Sequence, residues 1–352
     1  MIYSYHERLA RACTNSDTGE TPVIRNNSDP KFDNDPRLYS AHKILYSLGS
    51  MKVTVLLGGP SAERAVSLVS GTAVASGLRE MGHEVFESDI SPTDLSGLDK
   101  KADVIFPVLH GQFGESGDLQ EILESRKLPF VGSGSRASHI GIDKSTTKKV
   151  WEAAGLPTPP YLVITREDLQ SQRWLSLGPK TAVKALDSGS SIDVYICRSQ
   201  DETNKAVAAI LTKHDKVLVE KFIKGPELTV GLLEEQPLAP IRIVPKKEFF
   251  DYEAKYQRND TEHRFDTGLT DDLIKKVQDL VKKANAAVGA RDLARIDVMI
   301  DESDFSPYLI EINTLPGFTP KSLLPEAAAH AGIPFGALVD RLVKRAYARG
   351  AR

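Results

Sequence analysis

The chain has 352 residues, with 45 Lys and Arg against 48 Asp and Glu, so its formal net charge of −3 argues against nucleic acid or an anionic membrane as partner. Hydrophobic residues at 41% and charged residues at 26% are the balance of a soluble globular protein with room for two or three cores. Two cysteines, Cys13 and Cys197, exclude a disulfide framework, no apolar run nears the roughly 20 residues of a membrane span, and no signal core opens the chain, so the expected location is cytoplasmic.

Residues 1–50 stand apart from the rest. NSDTGETPVIRNNSDPKFDNDP is polar, rich in Asn, Asp and Pro, and has neither helical nor strand period. It reads either as a disordered extension or as a start assigned upstream of a true one at Met51. From Met51 the texture is α/β. MKVTVLLGG is a strand ending in glycines. The next helix places Val66, Val69, Ala73, Val74, Leu78 and Met81 on one face, with Gly82 as its stop. ADVIFPVLHG and LPFVGSG are continuous apolar runs, as buried parallel strands show. Strand–helix alternation predicts an open parallel sheet over residues 51–134.

A second unit spans residues 135–220. Its helix around Lys144–Ala154 is closed by Gly155 and LPTPP. Strands TAVKAL and DVYICR flank the small polar turn DSGSS, and the helix DETNKAVAAILTKH precedes the strand KVLVEKFI. A third unit spans 221–352, with strands ELTVGLL and LAPIRIVP and then a polar aromatic loop, FFDYEAKYQRNDTEH. Thr270, Asp271 and Asp272 suit a helix start, and Leu273, Ile274, Val277, Leu280, Val281, Ala284 and Val288 form its apolar stripe.

The most informative stretch is RIDVMIDESDFSPYLIEINTLPG. Alternation puts Arg295 and Asp297 on one face of a first strand, and Glu311 and Asn313 on one face of a second. A turn near Asp304 sets position 297 opposite 311 and position 295 opposite 313. Like charges so opposed repel unless a cation compensates them. Hard oxygen ligands of this kind suit Mg²⁺. The competing reading is an exposed polar face with one Arg–Asp ion pair.

Lys184 lies among apolar neighbours in TAVKAL, which is costly unless its ammonium has a partner. Lys144, at a helix start, reaches toward the same place. With the N–H groups of DSGSS these make a triphosphate cradle. A snorkelling lysine and an ordinary hairpin turn is the alternative. Neither GxxxxGK[ST] nor GxGxxG occurs.

Taken in order, LLGGPSAERAVSLVSG, HGQFGESGDLQ, GSGSRASHIGIDK, DSGSS, EKFIKGPELTV, DYEAKY, ARIDVMID and LIEINTLPGFTPKSLLP resemble the motifs of the D-alanine–D-alanine ligases of the ATP-grasp superfamily, over about residues 51–345. The resemblance implies an ATP-grasp fold: an N-terminal open parallel α/β sheet followed by two α+β subdomains that sandwich ATP. It implies ATP-dependent joining of two D-alanines through an acyl phosphate, for peptidoglycan, with two Mg²⁺ or Mn²⁺ ions, small-molecule substrates and a homodimer.

The same resemblance assigns residues. Lys144 and Lys184 match the lysines on the ATP phosphates. Glu220, Lys221 and Ile223 match the segment that meets adenine, and Glu227 the acid on the ribose. Asp297, Glu311 and Asn313 match the metal ligands. Glu63 and His110 match D-alanine positions, and Ser190 and Tyr256 match the loop pair that joins Glu63 to close the site. Arg295 and the backbone of Gly317 match the group at the tetrahedral centre, and Ser322 and Leu323 the second D-alanine's carboxylate.

Some positions depart from the family pattern. Ala185 follows Lys184 where proline is usual. Asp193 stands where glycine is usual and adds negative charge near a triphosphate. Ser116 replaces an aspartate, and Thr261, His263 and Asp266 replace a Thr-x-Tyr and a nearby proline. Lys321, just before Ser322, is placed to tune the second substrate site. The alternatives are a ligase with D-serine or D-lactate as acceptor, of which Tyr256 disfavours the ester-forming D-lactate, and a non-catalytic nucleotide-binding homologue, motivated by Ala185 and Asp193.

Overall fold

A computed structural model describes residues 49–187, 193–245 and 261–351. The expected N-terminal extension up to residue 48, most of the DSGSS turn and the DYEAKY loop lie outside the described residues.

Strands β1 (Lys52–Leu57), β2 (Glu84–Asp89) and β3 (Val104–Pro107) form a parallel sheet in the order β2-β1-β3. Strand β3, from a continuous apolar run, is fully buried as expected, and β1 is buried beyond its first residue, Lys52. The edge strand β2 went unread because its Glu and Asp residues leave it half-exposed. Helix α1 (Arg64–Glu80) buries a face of mostly small residues, including Ser67, Ser70, Gly71 and Ala75, beside Val66, Val74 and Leu78. Met81, expected on that face, is instead the C-cap and 44% exposed, because the helix stops at Gly82 (φ +86°) before its period can carry Met81 inward. LPFVGSG forms no strand beyond a single Ile105–Phe130 bridge. The chain is drawn off at Gly132, whose N–H donates to the buried carboxylate of Asp292 (2.8 Å).

Helices α2 (Asp118–Ser125), α3 (Ser135–Ile142) and α4 (Lys144–Ala153) follow. Asp143 caps α4 by accepting from the Thr146 N–H (2.7 Å). The second sheet is antiparallel, β4-β7-β5-β6, from β4 (Tyr161–Thr165), β5 (Thr181–Ala185), β6 (Val194–Cys197) and β7 (Lys216–Lys221), with α5 (Gln200–Leu211) packed on it.

The third sheet runs β11-β10-β8-β12-β13, from β8 (Glu227–Leu233), β10 (Ile241–Pro245), β11 (Thr261–Arg264), β12 (Leu293–Ile300) and β13 (Pro307–Asn313), with short β9 (Gln236–Pro237) beside β8. Gly225 makes the crossing into it: φ is +151°, and a Cβ there would lie 1.9 Å from the Ile300 carbonyl oxygen. Helix α6 (Asp271–Val288) starts at the expected Thr270 cap and buries Val277, Leu280, Val281, Ala284 and Val288. Trp151 of α4 is fully buried in the same core and donates its indole N–H to the Ala284 carbonyl (3.2 Å).

Two last helices, α7 (Leu323–His330) and α8 (Phe335–Arg349), return the chain to the first sheet. Leu338, Val339, Leu342 and Val343 of α8 share one core with Val53, Val74, Val104 and Phe106. His83 Nδ1 accepts from the Met51 N–H (3.1 Å), so Nε2 carries the proton and faces Asp340 (2.9 Å). Asp292, fully buried, takes the Gly132 N–H together with Arg345 (3.2 Å) and Arg349. Among the described residues no helix is long and apolar enough to cross a membrane.

Asp292 thus pins the first sheet's exit loop, β12 and α8 with one carboxylate. Asp292→Ala should lower the unfolding free energy by about 3–5 kcal/mol, since it takes the carboxylate from partly buried Arg349, leaves Arg345 with Glu235 alone and frees the Gly132 N–H. Urea denaturation of the variant against the parent protein measures this.

Candidate active site

The β12–β13 hairpin has the register read from the sequence: Asp297 pairs with Glu311 and Arg295 with Asn313, with an irregularity just after Asp297. Arg295 grips Asp297 with two hydrogen bonds, Nε to Oδ1 and Nη2 to Oδ2, both 3.0 Å. Thr229 of β8 donates its hydroxyl to Asp297 Oδ1 (2.5 Å). Glu311 lies 3.9 Å from Arg295 and 3.5 Å from Lys144 Nζ. Burial opposes ionisation of Glu311, yet Lys144, Lys184 and Arg295 outweigh it and hold its carboxyl below the usual range. Burial likewise opposes the Arg295 charge, and Asp297 and Glu311 reverse the sign and raise it. The Asn313 amide oxygen accepts from the Leu315 N–H (2.9 Å).

Lys184 has the partner that its burial demands. Its Nζ lies 2.5 Å from Glu220 Oε2 on neighbouring β7, and Lys148 of α4 pairs with the other oxygen, Oε1. Burial disfavours the Glu220 carboxylate, but Lys184 and Lys148 together bring its pKa down to about 2. The Lys144 N–H donates to the Leu186 carbonyl (3.1 Å), so the start of α4 is fastened to the end of the Lys184 strand. Lys221 is exposed and donates its N–H to the Pro160 carbonyl (2.8 Å), while Ile223 is buried. Glu227 is half-buried at the start of β8.

A cavity of about 210 Å³ brings together Glu63, His110, Lys144, Arg295, Glu311, Asn313, Gly317, Ser322 and Leu323. It gathers residues from the start of α1, the loop after β3, α4, the third sheet and α7. Gly111 lets its first wall close: φ is +76°, and a Cβ would lie 2.9 Å from Ser61 and 3.0 Å from the Glu63 carboxylate. Ser61 also donates to the His110 carbonyl (2.6 Å). Ser322 is the N-cap residue of α7 and accepts from the Thr319 N–H (3.0 Å). The N-terminus of α7 therefore faces the cavity with its positive dipole end. Asp297, Lys184, Glu220, Lys221, Ile223 and Glu227 do not line it. Ser190 and Tyr256 lie outside the described residues.

Sequence reasoning missed Glu115, which lines the cavity with its carboxylate 3.3 Å from His110 Nδ1. Burial, and then the charge of Glu63, push its pKa up against the pull of His110. It sits in HGQFGESG, where an acid five residues after a buried histidine was the available signal. Lys148 was also missed. His263 and Lys321, read only as departures, both line the cavity.

The departures are absorbed locally. Asp193 is buried at φ +53°, the left-handed region that explains a usual glycine, and its charge meets Lys213 (3.1 Å) and His214 (3.4 Å). The Ala185 N–H donates to the Asp193 carbonyl (3.2 Å), a bond proline cannot make. Ser116 donates to Asp118 (2.7 Å) and accepts from the Phe113 N–H (3.2 Å). His263 pairs with Glu326 of α7 (2.8 Å), and Asp266 accepts from the Gly268 N–H (3.1 Å).

A parallel sheet followed by two antiparallel-rich sheets, with lysines on one and opposed carboxylates on the other, is the ATP-grasp class of fold. Residues 86–133 match the family model of the D-ala D-ala ligase N-terminus and residues 150–344 that of the D-ala D-ala ligase C-terminus. The chain belongs to the D-alanine–D-alanine ligase family. It is 42% identical over 300 residues to the D-alanine–D-alanine ligase of Gloeobacter violaceus, covering 84% of this chain and 99% of that one. It is 43% identical over 300 residues to the enzyme of Acinetobacter baumannii, covering 84% and 96%. Among solved structures, the D-alanine–D-alanine ligase of Bacillus anthracis superposes with a TM-score of 0.78 at 33% identity, covering 85% and 98%. The same enzyme complexed with ATP gives 0.75 at 31%, with the same coverage.

The raised pKa of Glu115 fixes a sign. Its contribution to stability is complete below the unfolded-state value and is lost as pH rises through the higher folded-state value. The stability of the parent protein relative to Glu115→Gln should therefore fall as pH rises past the ordinary carboxylate range, as denaturant melts at a series of pH values will show. Asp193→Gly, which removes a compensated charge, should change the KM for ATP by less than about twofold in steady-state assays.

Proposed function

We propose that this protein is a D-alanine–D-alanine ligase: it uses ATP to convert one D-alanine to an acyl phosphate and joins it to a second, supplying dipeptide for peptidoglycan in the cytoplasm. The observation that carries the reading is the opposed pair Asp297 and Glu311, compensated by Arg295 and Lys144, with Glu311, Arg295 and Lys144 lining a cavity that also holds His110 and Ser322.

A carboxylate is a poor acyl donor because oxide would have to leave; phosphorylation gives it a leaving group. Phosphoryl transfer needs positioning and charge neutralisation rather than covalent help. Lys144 and Lys184 are proposed to meet the ATP phosphates. Glu220, Lys221 and Ile223 are proposed to border adenine, and Glu227 to take the ribose hydroxyls. Asp297, Glu311 and Asn313 are proposed to hold two Mg²⁺ ions. The donor set fits: two carboxylates and an amide offer hard oxygens on adjacent strands. Bound there, the metal would offset negative charge on the transferring phosphoryl group.

Glu63 and His110 are proposed to hold D-alanine, with Ser190 and Tyr256 completing the closure with Glu63. Ser322 and Leu323, at the N-terminus of α7, take the second carboxylate, where the helix dipole favours an anion. The amine of that second D-alanine attacks the acyl carbon. Arg295 and the Gly317 N–H offer donors to the oxyanion that develops. Water must be kept out, since hydrolysis of the acyl phosphate would consume ATP without product. The three units, 51–134, 135–220 and 221–352, and a homodimer complete the proposal.

Incubation with ATP, Mg²⁺ and D-alanine should release ADP, phosphate and D-alanyl-D-alanine in equal amounts. ADP without dipeptide, or no ADP at all, would refute the reading. Glu311→Gln should lower kcat by on the order of 10²-fold or more while the chain stays folded, measured by coupled ADP release and circular dichroism.

A further inference from the structure

Lys148 has no place in the reaction as proposed, yet it is the most deeply buried lysine of the site. Its residue is 0% exposed, so it touches neither solvent nor substrate. It lies one turn after Lys144 on the same face of α4. Its Nζ pairs with Glu220 Oε1 and donates to the Thr158 hydroxyl (2.5 Å). That hydroxyl in turn donates to the Leu309 carbonyl (2.9 Å), so it can only accept from the lysine. The Tyr161 ring lies below the ammonium, 5.3 Å from its centroid. Lys184 holds the remaining oxygen of Glu220.

Two lysines thus share one buried carboxylate; burial pulls the Lys148 pKa down and the charge of Glu220 pulls it back in part, and with both lysines charged the cluster carries a surplus of one positive charge. With Lys184 as its sole partner, Glu220 would form a neutral pair and Lys184 would have little charge to offer. We infer that Lys148 is a positioning residue: it cancels the charge of Glu220 and so leaves that of Lys184 directed at the nucleotide phosphates. The inference rests on the proposal that Lys184 meets those phosphates. Glu220 stays ionised despite its burial, because both lysines lower its pKa. Space-filling alone does not account for a lysine here, since an apolar side chain of similar volume would fill the space without desolvating a charge.

The test is equilibrium binding of ATP with Mg²⁺, and separately of adenosine, which lacks phosphates. Lys148→Met should weaken ATP about tenfold or more and leave adenosine within about twofold. Lys148→Met combined with Glu220→Gln restores the surplus charge, and should return the ATP-to-adenosine affinity ratio to within about threefold of the parent value. A double variant whose ratio stays as low as that of Lys148→Met overturns the inference, as does adenosine affinity falling in step with ATP. Should Lys148→Met fail to fold, the double variant decides alone by the same ratio. Lys184→Met separates the two readings. If it binds ATP as the parent does, the phosphate role of Lys184 fails and the inference with it. If it weakens ATP alone while the double variant is not rescued, only the role of Lys148 fails.

Discussion

Two carboxylates at one register of a hairpin repel each other, and the organisation of this molecule around its cavity answers that repulsion. Asp297 and Glu311 stand opposed because strand alternation leaves them no other face. Arg295, two residues from Asp297, covers one of them fully and reaches only the edge of the other. The remaining compensation comes from Lys144, which belongs to a different part of the chain. Its helix must therefore be held against the third sheet, and it is: Trp151 is buried in that sheet's core and bonds to α6.

The same device recurs at Glu220 and Asp292. Each is a buried anion whose cations arrive from remote segments: Lys148 and Lys184 at the first, Arg345 and Arg349 at the second. Such pairs add little net stability over an apolar replacement, because desolvation offsets the Coulomb attraction. Breaking one, however, strands an uncompensated charge. They therefore penalise wrong arrangements of the three sheets more than they reward the right one. Apolar burial supplies the stability, and α8, packed over the first sheet, shows how far along the chain it reaches.

This division explains what could be read from the sequence. The hairpin register was legible because a period of two fixes which residues share a face, and the turn fixes what lies opposite. The α6 stripe and its Thr270 cap were legible for the analogous helical reason. Lys148 was not. In KSTTKKVWEA it is one of several lysines that look like a solvated face, and Lys149 next to it is indeed exposed. Only its i+4 spacing from Lys144 hinted that both point one way. Glu115 was hidden in a glycine-rich loop with no period to place it. Met81 and LPFVGSG were misread because an apolar pattern continued past the point where a glycine turned the chain.

The departures from the family pattern bear on whether the site is competent. A non-catalytic homologue was motivated by Asp193 and Ala185, the first for its charge and the second for a missing proline. Asp193 occupies a left-handed position that aspartate tolerates better than most residues, Lys213 offsets its charge, and His214 Nε2 lies 3.4 Å from its other oxygen. The N–H that Ala185 retains closes the hairpin onto the Asp193 carbonyl. The two substitutions thus meet across one strand end and support each other there. An inactive site would have lost charge where charge is costly to keep. Here Lys184, Glu220, Arg295, Asp297 and Glu311 all remain, largely buried and mutually compensated. Holding these charged side chains in and around one small cavity is unfavourable beyond what fixing the sheets at Glu220 requires, and that cost is the physical argument for catalysis.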